Sequence, residues 1–208
     1  AIVLTGSGRG FCAGQDLQSR SIAQEMGERP SLGDSIRRRY NPIVIKLRRI
    51  EKPIIAAVNG VAAGAGASIA FACDYRIVTD KVNFIQSFTK VGLIPDSGAT
   101  FILTRLVGLT KAFELMLSAD KLSAEEALKL GIVNKIVGED DLMKEAIALA
   151  EKLAAGPTKA FGLTKRAVNR AVFDDLEELL EYEASLQEIA GRSDDFAEGV
   201  KAFVEKRT

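Results

Sequence analysis

The chain has 208 residues, 47% of them hydrophobic and 27% charged, which suits one sizeable soluble core and argues against a disordered chain. Lys plus Arg and Asp plus Glu number 28 each, so no overall field draws the chain to nucleic acid, an anionic membrane or an acidic substrate, and any anion site has to be local. Histidine is absent, which removes Ser-His-Asp and Cys-His nucleophile systems and most transition-metal sites, and leaves carboxylates and backbone amides as the leading catalytic groups.

The two cysteines, Cys12 and Cys73, have neither metal-ligand spacing nor a disulfide framework, so no metal is expected and a reducing, cytoplasmic setting is the simplest reading. The chain opens on the apolar run AIVLT with no basic region before it, so a secretory leader is not expected. That run reads as a buried strand ending at Thr5. The glycine-rich loop that follows, Gly6 to Gly14, lacks the Gly-Lys-Ser/Thr ending of a phosphate loop. Leu17 to Gly33 is polar and punctuated by Gly27, Pro30 and Gly33, the composition of a mobile surface segment suited to a lid.

Asp34 or Ser35 is placed to cap a helix reaching about Arg49, with Ile36, Tyr40, Ile43, Val44 and Leu47 at helical spacing and a basic face that reads as solvated. Pro53 ends it, and IIAAV forms the next strand. The uncharged stretch from Pro53 to Cys73 is long enough to span a bilayer, but its β-rich start and small-residue continuation from Gly60 to Gly66 fit a buried strand and helix instead. Short strands follow at 75–79 and 82–85. Helices are expected at 99–106, 111–118 and 123–130, the last with a Ser123/Glu126 capping box and a Gly131 stop, then a strand at 132–137. Four helices, at 140–154, 158–172, 176–190 and 194–206, complete the chain. An α/β core over 1–138 with a helical region over 139–208 results.

Two loops after strands carry few side chains: Phe11 to Leu17 (FCAGQDL) and Asn59 to Gly66 (NGVAAGAG). Where no side chain intrudes, N–H groups at a turn or helix start are able to face a developing negative charge, although such runs also serve close helix packing. Gly64-Ala65-Gly66 lacks the third glycine and the downstream acid of a dinucleotide fingerprint.

FCAGQDL, VNGVAAGAGASIAFACDYRI, FTKVGLIPDSGAT, ADKLSAEEALKLGIVNKIV and AFVEKR, in that order and over nearly the whole chain, resemble the segments of the crotonase (enoyl-CoA hydratase/isomerase) family. GQDL, GLIPD and the AGRS segment at 190–193 look most like its phenylacetate-pathway branch, the 1,2-epoxyphenylacetyl-CoA isomerases. The resemblance implies a spiral of ββα units with a helical C-terminal trimerisation region, preceded in relatives by strands and a helix that are absent ahead of AIVLTG. It implies an acyl-CoA substrate, no cofactor beyond the coenzyme A that the substrate carries, and a homotrimer or dimer of trimers. Carried over residue by residue, the oxyanion-hole N–H groups are those of Gln15 and Ala65, with Ala13, Gly14, Asp16, Leu17, Gly64 and Phe88 along the substrate. Phe203 and Lys206 match positions that contact the coenzyme A of a neighbouring subunit.

Departures from the family pattern are informative. The two glutamates that activate water in hydratases are replaced here by Ser68 and Phe88. Asp96 stands where several isomerases of the family place a catalytic carboxylate, and a single carboxylate suits moving a proton between two carbons. From the residues alone Asp96 is equally placed to cap the helix that follows Gly98, so both roles are expected of it. An acyl-CoA isomerase is therefore the leading expectation, ahead of an enoyl-CoA hydratase and of a non-catalytic acyl-CoA or RNA-binding module; neutral charge argues against RNA.

Overall fold

The computed structural model describes residues 1–16, 31–173 and 175–205. Among them, strands β1 (Ile2–Thr5), β2 (Gly10–Cys12), β3 (Ile54–Val58), β4 (Val61–Ala63), β5 (Tyr75–Thr79), β6 (Asn83–Ile85), β7 (Lys121–Ser123) and β8 (Lys135–Val137) form two four-stranded sheets. One sheet has the order β1-β3-β5-β8 and is parallel throughout; the other has the order β2-β4-β6-β7, with only the last pair antiparallel. Each successive strand pair adds one strand to each sheet, the odd strand joining the first sheet in the first three pairs and the order reversing in the last, where β7 joins β6 and β8 joins β5, and helices carry the chain from turn to turn. This is the ββα spiral.

The central strand β3 is buried along its whole length, which is why IIAAV reads as a continuous apolar run rather than an alternating one. Its register sets Ile2 against Ile54 on one side and Ile55 against Tyr75 on the other. Asn59 ties two turns of the spiral together. Its Oδ1 accepts from the Gly6 N–H at 3.2 Å and its Nδ2 donates to the carbonyls of Gly8 and Gly10 at 2.8 and 3.3 Å.

Helices α1 (Leu32–Ser35) and α2 (Asn41–Arg49) are joined by a π-helical turn, Ile36–Tyr40. The cap is Ser31, whose Oγ accepts from the Asp34 N–H at 3.0 Å, so the expected caps Asp34 and Ser35 lie inside the helix instead. The segment 60–66 is not one helix: it divides into β4 and the start of α3 (Ala65–Ala72), because β4 finds a partner in β6 that no local pattern announces. For the same reason β2 and β7 escape a sequence reading. Three residues suffice once a neighbouring strand offers its hydrogen bonds.

Helix α4 (Ala99–Ser118) is kinked at Gly108 (φ 77°, ψ 168°), where two helices are expected from sequence. The Ser123/Glu126 capping box opens α5 (Ala124–Lys129) as expected. After it come α6 (Leu142–Ala154), α7 (Thr158–Phe173), α8 (Leu176–Ala190) and α9 (Asp194–Glu205). Buried Arg76 on β5 donates to the carbonyls of Phe71 and Cys73, satisfying the C-terminal end of α3, and to Ile132; burial pulls its pKa down to about 10. No helix of the described residues is long and apolar enough to cross a membrane.

Candidate active site

The first wall of the site is backbone. Gly14, in the loop after β2, holds φ at +91°, and a Cβ built on it would lie 3.0 Å from the Ala63 carbonyl oxygen and 3.7 Å from the Ala65 nitrogen. The Gly14 backbone therefore rests against the second small-residue loop, close to the Ala65 nitrogen. Gly64 turns the chain at φ +52° while its own N–H bonds Ile85 O at 2.9 Å, and Ala65 begins α3. As the first residue of the helix, Ala65 has an N–H with no acceptor within the helix, at the positive end of its dipole. Gly66 makes this proximity possible. A Cβ there would stand 2.2 Å from Cys12 O, so any other residue would push α3 off the first loop.

The second wall is made of side chains. Asp96, 7% exposed, accepts from Ser97 Oγ at 2.8 Å through Oδ1 and from Gln187 Nε2 at 2.8 Å through Oδ2. Gln187 lies on α8, some ninety residues along the chain, and is 1% exposed. Helix α4 is not capped by Asp96: its N-cap is Gly98, and the capping carboxylate is Glu183, also on α8. Glu183 accepts from the N–H groups of Gly98 and Thr100 at 2.9 and 3.2 Å and from Thr100 Oγ1. Burial pushes the Glu183 carboxyl up to about 7 against these donors, with the Asp96 charge raising it further. The expectation that Asp96 also serves as the cap is thus corrected; a buried glutamate distant in sequence takes that role.

Between the walls lies a cavity of about 200 Å³. The structure brings Ala13, Gly14, Gln15, Gly64, Ala65, Phe88, Asp96 and Phe203 to its lining. Asp16 is exposed and does not line it. Leu17, Lys206 and all but the last three residues of the expected lid fall outside the described residues. Ser68 is fully buried one helical turn behind Ala65, its Oγ donating to Gly64 O at 3.2 Å. Leu32, Tyr40, Lys90, Leu93 and Phe196 also line the cavity and were not singled out from sequence.

Glu183 and Gln187 were missed as well, yet they left a signal. They fall at i and i+4 on the face of α8 that buries Leu180 and Ala184, and a polar pair on a buried helix face calls for partners.

A larger cavity, about 500 Å³, lies against α7 and β5 with Cys73, Asp74 and Lys165 in its walls. Its charges serve one another: Asp74 pairs with Arg48 at 3.0 Å and with Lys165 at 2.7 Å. Burial pushes the Cys73 thiol up to about 11, away from the reactive thiolate. Of the two, the smaller cavity is the one lined by residues of both small-residue loops together with Asp96. Among the described residues, no cluster of three or more His, Cys, Asp or Glu is placed to hold a metal.

A family model described as enoyl-CoA hydratase/isomerase matches residues 1–208. The 1,2-epoxyphenylacetyl-CoA isomerase of Escherichia coli (strain K12) is 46% identical over 207 residues, covering 100% of this chain and 79% of that protein. A probable enoyl-CoA hydratase of Rhodobacter capsulatus is 43% identical over 207 residues, with the same coverage of 100% and 79%. The crystal structure of an enoyl-CoA hydratase from Mycobacterium avium subsp. paratuberculosis K-10 superposes with a TM-score of 0.86 at 33% identity, covering 100% of this chain and 78% of that one. With the spiral fold and the two apposed small-residue loops already in place, these matches settle that the chain belongs to the enoyl-CoA hydratase/isomerase, or crotonase, family.

Proposed function

We propose that the protein is an acyl-CoA isomerase that stabilises a thioester enolate with the N–H groups of Gln15 and Ala65 and moves a proton with Asp96. The observation that carries this reading is the single carboxylate of the cavity. Among its described lining residues Asp96 is the one acid, and by the family resemblance Phe88 and the buried Ser68 stand where hydratases hold glutamates. A lone carboxylate has no second acid with which to activate and orient a water, but it is able to take a proton from one carbon and return it to another.

In this mechanism the thioester oxygen accepts from the two backbone N–H groups as the C–H bond at the neighbouring carbon breaks. Its electron pair becomes the enolate, and the proton goes to Asp96. Donors aimed at such a developing oxyanion contribute roughly 100- to 1,000-fold each. Asp96, now protonated, delivers the proton to a different carbon, or to the oxygen of an epoxide as its C–O bond opens, and the carboxylate is regenerated. Phe88, Leu93 and Phe196 supply an apolar lining for the acyl group. Likeness to the E. coli relative favours 1,2-epoxyphenylacetyl-CoA as the substrate, with a 3-enoyl-CoA as the other isomerase substrate.

The reading needs no cofactor beyond the coenzyme A of the substrate. It includes assembly as a homotrimer or dimer of trimers, in keeping with the exposed apolar stripe Leu109, Phe113 and Leu117 along α4. It also includes a cytoplasmic location, in keeping with free Cys12 and Cys73.

The test is turnover of crotonyl-CoA, a 3-enoyl-CoA and 1,2-epoxyphenylacetyl-CoA by the protein and by Asp96→Asn, with acyl-CoA affinity measured alongside. The expected result is isomerisation without appreciable hydration, cut by about 100-fold or more in Asp96→Asn with affinity preserved, the scale of general acid–base catalysis. Hydration of crotonyl-CoA as the main activity, or near wild-type turnover by Asp96→Asn, rejects the proposal.

A further inference from the structure

We propose that Gln187 is a positioning residue for this reaction, holding the Asp96 carboxylate in one orientation and in its ionised form. The inference rests on the reading of Asp96 as the base. Its geometric ground is independent of that reading. Gln187 spends its whole carboxamide on two residues: Oε1 accepts from the Ile94 N–H at 3.1 Å, while Nε2 donates to Ile94 O at 3.0 Å and to Asp96 Oδ2 at 2.8 Å.

The amide has one admissible orientation. Turning it over would set its oxygen against two acceptors, Ile94 O and Asp96 Oδ2, and its N–H groups against the Ile94 N–H. The hydrogen facing Asp96 is therefore permanent, and the backbone of Ile94 fixes where it points. Ser97 Oγ supplies a donor to the other oxygen. Ser97 holds φ +57°, a left-handed conformation uncommon for a residue other than glycine.

These donors counter a hostile setting. Asp96 is 7% exposed, and burial favours the neutral acid. Glu183 on α8, four residues before Gln187 and in the same buried cluster, adds negative charge when ionised. Lys90 and Tyr40 line the cavity from the turn after β6 and from the π-helical turn. A neutral acid is unable to begin the proton abstraction; hydrogen bonds to the charged form keep a base available. One helix thus serves the site twice, with Glu183 holding the start of α4 and Gln187 holding the base just before it.

The experiment uses Gln187→Met, which keeps the side-chain length and removes the donor, with Gln187→Glu as a second variant that keeps the acceptor for the Ile94 N–H. The Asp96 carboxyl is titrated by ¹³C NMR without substrate, and the pH profiles of kcat and KM for isomerisation are recorded. In Gln187→Met the Asp96 titration and the acid limb of kcat are expected to rise together by about one to two pH units, the worth of one hydrogen bond to a charged group. Neutral-pH kcat falls about 10-fold with KM nearly unchanged; Gln187→Glu shifts further, since a charge replaces the donor. If Gln187→Met fails to fold, Gln187→Glu alone decides by the same readouts. An Asp96 titration at its wild-type position in the folded variant overturns the inference and leaves Asp96 standing as the base. A shifted titration with an unshifted rate profile overturns Asp96 as the base, and with it the catalytic half of the inference.

Discussion

The two walls of the cavity are built on opposite principles. One is made of backbone: Gly14, Ala63 and Ala65 meet through the absence of side chains, and Gly14 and Ala65 line the cavity. The other is made of side chains held by other side chains: Asp96 by Ser97 and Gln187, and the helix start beside it by Glu183. A backbone wall is rigid and cheap to encode, and no substitution removes its donors directly. It fails when something is added. A side-chain wall fails when something is taken away, and its failures are graded by how many partners remain.

The largest effect is therefore expected from one added methyl group on the backbone wall. Gly66→Ala sets a Cβ 2.2 Å from Cys12 O, a separation that forces the first turn of α3 and the first loop apart. Isomerisation is expected to fall by about 100- to 1,000-fold, the scale of losing an oxyanion donor, with a lowered Tm from overpacking. Steady-state kinetics together with thermal unfolding measure both, and a fully active, equally stable Gly66→Ala would break the comparison at its root.

On the side-chain wall, Glu183 makes stability depend on pH. Its carboxyl titrates near 4.5 when unfolded and near 7 when folded, so folding takes up a proton between those values. Stability is undiminished below about pH 4.5 and declines as pH rises to about 7, at about 1.4 kcal/mol per unit, for up to about 3 kcal/mol in all. Glu183→Gln carries no such dependence, although it sets an amide N–H₂ against one of the N–H donors of Gly98 and Thr100, at a pH-independent cost of about 1 to 3 kcal/mol. Urea unfolding of both proteins at pH 5 and pH 8 provides the check: the gap between them is expected to be wider at pH 5. A gap that stays constant with pH would show that Glu183 is ionised throughout.

The smallest effect is expected at Ser68. Its hydroxyl bonds only the Gly64 carbonyl, which the Ser68 N–H also reaches at 3.1 Å, so Ser68→Ala leaves that acceptor satisfied. Stability is expected to change by about 1 kcal/mol or less. Turnover is expected to stay within about threefold, because the hydroxyl makes no bond that strengthens in the transition state. A tenfold loss in turnover would mean that the backbone wall relies on a side chain after all.

The legibility of the two walls in the sequence follows from the same contrast. FCAG and AAGAG announce that side chains are excluded, and the exclusion is local, so both loops were visible as candidate donors before any fold was known. Asp96 is visible as an acid just before a helix, which suits it both as a catalytic carboxylate and as a cap, since Asp is a good cap. The carboxylate of Glu183 took that role from a helix that enters the site some eighty residues later, and no propensity within residues 92 to 100 encodes it. The short strands β2, β4 and β7 were unreadable for a related reason. Unlike β6 and β8, which lie within or beside apolar runs, they carry too little local pattern, and each exists because a neighbouring turn of the spiral presents an edge to it.

What the sequence determined by itself is whatever depends on residue type and near neighbours. It excluded histidine chemistry and set the apolar run of β3, the Ser123 capping box and the small-residue loops. Tertiary structure alone decided which small-residue loop meets which, that Glu183 rather than Asp96 holds the start of α4, and that α8 returns to place Gln187 on Asp96. The physical reason is one of range. Steric exclusion and helix capping boxes act within a few residues of chain, whereas a buried carboxylate takes its donors from whatever side chains the fold brings within 3 Å, wherever they lie in the sequence.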